Sequence, residues 1–189
     1  YDDVKSAFST PISCWGGSAF SGDRANAEGQ KIGAYFEAIL NNINLAVKNQ
    51  NLLSLQANYL KFEGILYTSI KAYKAKKAEG WNKCTTESIT RMETILNFYD
   101  KVAFTGLTAW LSNYFDITPV ATKSFNNGAG FEDNDPAFFF TYTYPNVIYI
   151  ANVNEFKLKT GVTQIPEFEF TPYVEQIASN PNNFNVETF

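Results

Sequence analysis

Large apolar side chains recur every three or four positions along residues 23–115, and every second position along residues 137–170. The first spacing is that of a helix with one buried stripe; the second is that of a strand with one buried face. The pattern therefore predicts helices first and strands afterwards, an α+β fold.

Three helical stripes follow one another. The first reads Ile32, Phe36, Ile39, Ile43 and Ala46, behind Ser21 and Asp23 as candidate N-caps. The second reads Leu52, Leu55, Tyr59, Phe62, Leu66, Ser69 and Tyr73. It closes with Lys71, Lys74, Lys76 and Lys77 near the negative end of the helix dipole and with Gly80 as C-terminal cap. The third starts near Thr85, with Glu87 in its first turn, and carries Ile89, Met92, Leu96, Tyr99, Ala103, Gly106, Trp110 and Tyr114. Only short breaks separate the three, at Asn49-Gln50-Asn51 and at residues 80–84. Short connections force neighbours to run antiparallel, so an antiparallel three-helix, up-down-up bundle is expected. No charge occurs from Val102 to Phe115. That stretch falls short of the ~20 residues needed to span a bilayer. It is expected to be a central helix, with its sister helices on one face and the sheet on the other.

Residues 116–136 read as a long linker loop through Thr118-Pro119, the run Asn126-Asn127-Gly128-Ala129-Gly130, and an acidic end. Strand one is expected from Ala137 to Tyr144 and, past the Tyr144-Pro145-Asn146 corner, strand two from Val147 to Val153. Strand three turns Phe156 and Leu158 inward and Lys157 and Lys159 outward. Strand four turns Phe168 and Phe170 inward, with Glu167 and Glu169 facing those lysines. The expected architecture is thus a bundle followed by a small antiparallel β-sheet packed on the third helix. It forms a single domain over 1–189: N-terminal segment 1–22, bundle 23–115, linker 116–136, sheet 137–170, and a short helix and tail 171–189.

Composition narrows the chemistry. Histidine is absent from the 189 residues, which removes Ser-His-Asp and Cys-His nucleophile systems and His-ligated metals. A net charge of −4 argues against nucleic acid, which needs a basic stripe, and against a polybasic membrane patch. Glu167 and Glu169 could imitate a glycosidase pair, but two-residue spacing opposite lysines suits a solvated strand face. Glu132, Asp133 and Asp135 are a weak calcium candidate without the ordered spacing of an EF-hand loop. No catalytic residue is assigned and no cofactor motif is read.

The chain begins at Tyr1 without an initiator Met, from which a removed targeting segment is expected. Cys14 precedes the first helix and Cys84 follows the second, so the predicted topology puts both at one end of the bundle. A Cys14–Cys84 disulfide is expected there, closing a loop worth ~4 kcal/mol in the chain-entropy model and implying an oxidising compartment. No Asn opens an Asn-x-Ser/Thr sequon, which favours a bacterial, viral or organelle-lumen protein over a eukaryotic secreted glycoprotein.

These features favour a non-enzymatic exported structural or assembly protein acting through protein–protein contacts or self-assembly, as a subunit of an extracytosolic complex or filament. Aromatics outside the stripes (Trp15, Phe20, Trp81, Phe131 and Phe189) are the candidate interface. The alternatives are a membrane-acting protein, such as a helical pore former or secreted effector, and a binder of an apolar ligand between bundle and sheet. The run Leu53-Ser54-Leu55-Gln56-Ala57-Asn58-Tyr59-Leu60-Lys61-Phe62 resembles the small extrinsic helical-bundle proteins on the lumenal face of photosystem II. The resemblance covers that run alone, and the strand region is not part of the family's pattern. It implies that a thylakoid lumen belongs among the compartments to consider, beside secretion and the periplasm or cell surface.

Overall fold

The computed structural model describes Phe36, residues 38–79, Glu93, residues 96–126 and residues 147–168. Within them lie helix α1 (residues 38–48, with Phe36 also helical), helix α2 (Leu52–Glu79), a π-helical segment (Phe98–Phe104), helix α3 (Thr105–Tyr114), and strands β1 (Phe115–Asn126) and β2 (Ile148–Leu158). The fold is α+β, with a two-stranded antiparallel sheet packed on helix.

The break between α1 and α2 is built from local chemistry. Gln50 adopts φ +54°, the Asn51 amide donates to the Ala46 carbonyl at 2.8 Å, and the Gln50 amide donates to Val47. This is a Schellman stop with glutamine in the left-handed position where glycine is usual. Asn51 then opens α2, its Oδ1 accepting the Ser54 amide at 3.1 Å. Phe36 meets Phe62 at 5.0 Å between ring centroids and Tyr99 at 4.5 Å, and Asn42 lies beside Asn58.

The expected stripes are buried at Phe36, Ile39, Ile43, Ala46, Leu55, Tyr59, Phe62, Leu66, Ser69, Tyr73, Leu96, Tyr99, Ala103 and Trp110. Leu52 departs from this and is exposed. The central element is α2 rather than the third helix. Residues 64 to 70 of α2 are all buried, and the sheet lies on it. Thr68 and Ser69 enter this interior because their hydroxyls bond back to the Gly64 and Ile65 carbonyls one turn earlier. The uncharged third helix, expected to be covered on every side, exposes Thr105, Ala109, Ser112 and Asn113. These are small or polar side chains that need no cover. Its π-helical segment, with i→i+5 closure, shifts the inward face enough to bury Phe98, Tyr99, Asp100, Val102, Ala103 and Phe104 together.

The strand region differs most from expectation. The first half of the expected linker, to Asn126, is strand β1, which follows α3 with no loop between them. Expected strands two and three are one strand, β2. Phe115, Ile117, Ala121, Lys123 and Phe125 of β1 lie opposite Leu158, Phe156, Val153, Ala151 and Tyr149 of β2. The register slips between Pro119 and Ala121, leaving Val120 unopposed as a bulge. Proline, which has no amide hydrogen to donate, is accommodated at such a position. The inward residues of β2 therefore change from even (Phe156) to odd numbers (Val153, Ala151, Tyr149), and this phase change imitates a turn in the sequence. Lys157 stands opposite Asp116 instead of a glutamate. Residues 159–168 are not in a strand, so the expected lysine–glutamate ladder with Glu167 does not form. Expected strand one, Phe170 and Glu169 of strand four, and the short helix and tail lie outside the described residues.

Candidate functional site

After β2 the chain turns through Gly161, at φ +86°, and residues 162–168 cross back toward α1 as a strap. Its far end is tied down twice. Asn44 accepts the Phe168 amide through Oδ1 at 2.8 Å and donates through Nδ2 to the Phe168 carbonyl at 3.3 Å. The Phe168 ring is buried against Trp110, 5.4 Å between centroids. Between the strap, α1 and the end of the sheet lies a cavity of about 1070 Å³, open to solvent. Val47, Phe115, Leu158 and Ile165 give it apolar surface, and Asn41, Gln50 and Gln164 contribute amides. Lys48 lines it from α1 and Glu167 from the strap. Leu45 in its wall is 54% exposed, and Leu53, just past lining residue Leu52, is 78% exposed.

A second group of polar side chains fixes the sheet to α2. Gln56, Tyr59, Glu63, Tyr67 and Lys71 recur along the helix at spacings of three and four and face β2. Gln56 accepts the Phe156 amide at 3.3 Å, and the Tyr59 ring meets Phe156 edge-on at 5.3 Å. Tyr149 donates to Glu63 at 3.1 Å and its ring lies 5.4 Å from Tyr67. Lys71 donates to the Ile148 carbonyl at 3.0 Å and lies over the Tyr149 ring. Tyr67 in turn donates to Asp100 at 3.0 Å, and Lys101 pairs with the other Asp100 oxygen at 3.4 Å.

Burial sets the protonation of this group. It pushes the Asp100 carboxyl above the usual carboxylate range, against the opposing pull of Lys101 and the Tyr67 hydrogen bond. Glu63 is raised by burial, against the Tyr149 hydrogen bond. Burial, with the neighbouring carboxylates, drives the phenols of Tyr67 and Tyr149 well above the ordinary range. These phenols stay protonated and serve as donors, Tyr149 to Glu63 and Tyr67 to Asp100, so the arrangement clamps the sheet to α2.

Cys14, Cys84, Glu132, Asp133, Asp135, Trp15, Phe20, Trp81, Phe131 and Phe189 lie outside the described residues. Of the expected glycosidase-like pair, Glu167 is an exposed residue in the cavity wall and Glu169 lies outside the described residues. Apart from Glu167, no cavity residue was singled out as a candidate site residue in the sequence. The usable signal was the row of Asn41, Asn44 and Lys48 on one helical face, close to Leu53, a leucine outside the expected stripe of α2. No helix among the described residues is long and apolar enough to cross a membrane. No known protein family, curated protein or solved structure matches this chain.

Proposed function

We propose that the chain is a non-enzymatic exported assembly protein, acting in an extracytosolic compartment through contacts with other proteins. In this reading the three helices run up-down-up as a scaffold, and the contact surface is the open groove between α1, the strap and the end of the sheet. One observation carries it: a solvent-open cavity of about 1070 Å³ that includes the exposed side chains of Leu45, Leu52 and Leu158, with Leu53 alongside. Solvent-facing leucines gathered at a concavity lower free energy when a partner covers them, at roughly 25 cal/mol per Å² of apolar surface. The test is the size of the native assembly, measured by light scattering after gentle isolation, for the natural chain and for Leu45→Asp. A complex larger than the monomer, released by Leu45→Asp while circular dichroism stays unchanged, is the expected result. A chain that is a lone monomer in the native extract and at high concentration overturns the proposal.

A further inference from the structure

We infer that the groove receives a segment of polypeptide, gripped mainly through its backbone; this rests on the contact reading above. Asn44 already shows the mode of grip, since one amide side chain satisfies both the N–H and the C=O of Phe168. Asn41, one helical turn earlier, and Gln50 and Gln164 bring further side-chain amides to the same cavity, and none of these is hydrogen-bonded among the described residues. Each can donate and accept at once, which matches the alternating donors and acceptors of a main chain. The strap adds more. Thr163, Gln164, Ile165 and Glu167 make no hydrogen bond among the described residues, so their backbone groups are available to an incoming segment.

Charge selects among occupants. Lys48 lines the helix wall and Glu167 the strap wall, and neither is in an ion pair among the described residues. One charge of each sign complements a segment bearing one acidic and one basic side chain. A fatty acid has a single carboxylate, which Lys48 would attract and Glu167 repel. A phosphorylated ligand would meet a single cation. The volume also lies at or beyond the top of the ~300–1,000 Å³ range usual for small-molecule sites.

The test uses the full chain and three probes: an acetylated peptide of about ten residues alternating leucine and threonine, with one Lys and one Glu; its twin N-methylated at alternate backbone nitrogens; and dodecanoate. The unmodified peptide is expected to bind saturably at one per chain. N-methylation, and separately Asn41→Leu, which keeps side-chain size but removes the amide, should each weaken it about tenfold. Circular dichroism of Asn41→Leu confirms the fold, and Lys48→Glu supplies a second variant, expected to weaken the same peptide. The inference is overturned if the peptide does not bind up to about 1 mM, if the N-methylated twin binds equally well, or if dodecanoate binds more tightly and ignores Asn41→Leu. Its failure is separable from that of the contact reading. If Leu45→Asp dissolves the native assembly while the peptide does not bind, contact stands and backbone recognition falls. If the peptide binds as described but the native chain is a lone monomer, the assembly role falls and the peptide site stands.

Discussion

At Gly64 the Phe125 ring of the sheet packs directly on the backbone of α2, and replacing the glycine with alanine tests the packing directly. A Cβ there would overlap three carbons of the Phe125 ring. The ring cannot easily withdraw: it is 1% exposed, Lys123 lies over it at 4.9 Å, and Tyr149 stands opposite on β2. Forcing a methyl group into such a contact costs about 1–3 kcal/mol. Alanine returns about 1 kcal/mol of helix propensity in the middle of α2. The expected net loss is at most about 2 kcal/mol, a fall in Tm of up to roughly 8 °C for a chain of this size. Urea denaturation of Gly64→Ala, Phe125→Ala and the double variant separates the two contributions. With the ring gone, Gly64→Ala should stabilise by about 1 kcal/mol, leaving a coupling of about 1–3 kcal/mol between the sites. Additive effects, or a Gly64→Ala variant more stable than the natural chain, would refute the packing argument.

Three further outcomes are expected. Because burial raises the carboxyls of Asp100 and Glu63, the folded chain holds protons that the unfolded chain has lost. This contribution to stability is complete below the unfolded carboxylate range, near pH 4, and is lost as pH rises through the raised values. Asp100→Asn should therefore raise Tm at neutral pH and flatten the decline that sets in above about pH 4, and thermal melts with a decline as steep as the parent's would contradict this. At the α1–α2 break, Gln50→Gly should stabilise by about 0.5–1 kcal/mol by relieving the left-handed conformation, whereas Asn51→Ala should cost about 1 kcal/mol, both read by chemical denaturation. Finally, Asn44→Ala removes both hydrogen bonds on Phe168, and limited proteolysis should then cut residues 162–168 faster than in the parent chain; equal rates would show that Trp110 alone holds the strap.

The buried stripes were legible because helical burial repeats at a fixed interval: Phe36, Ile39 and Ile43, or Leu55, Tyr59 and Phe62, stand where the 3.6-residue period puts them. The sheet was misread for two reasons. Thr118-Pro119 looks like a turn because proline is rare in strands, yet here it sits beside a bulge that tolerates it. The phase of apolar residues in β2 breaks between Val153 and Phe156, and a phase break caused by a bulge cannot be told from a loop by periodicity alone. The choice of α2 as the central helix was hidden because its sheet-facing row, Gln56, Tyr59, Glu63, Tyr67 and Lys71, is amphipathic and scores as surface. The cavity was hidden because it joins residues more than a hundred positions apart, Asn44 and Glu167 among them.

The bulge at Val120 makes the register of the sheet behave like a reading frame. In the half of β2 beyond it, both faces carry apolar residues: Tyr149, Ala151 and Val153 point to α2, while Ile148 and Ile150, beside Asn152, remain 48% and 63% exposed. Hydrophobicity alone gives this half little reason to prefer one face, since a slip of one residue would exchange one apolar set for the other. The frame is read instead by polar marks that only one register can satisfy, Tyr149 on Glu63 and Lys71 on the Ile148 carbonyl. Deleting Val120 would shift the frame and point Ile148 and Ile150 at the helix, so a single largely exposed residue of β1 decides which face the far half of β2 turns inward.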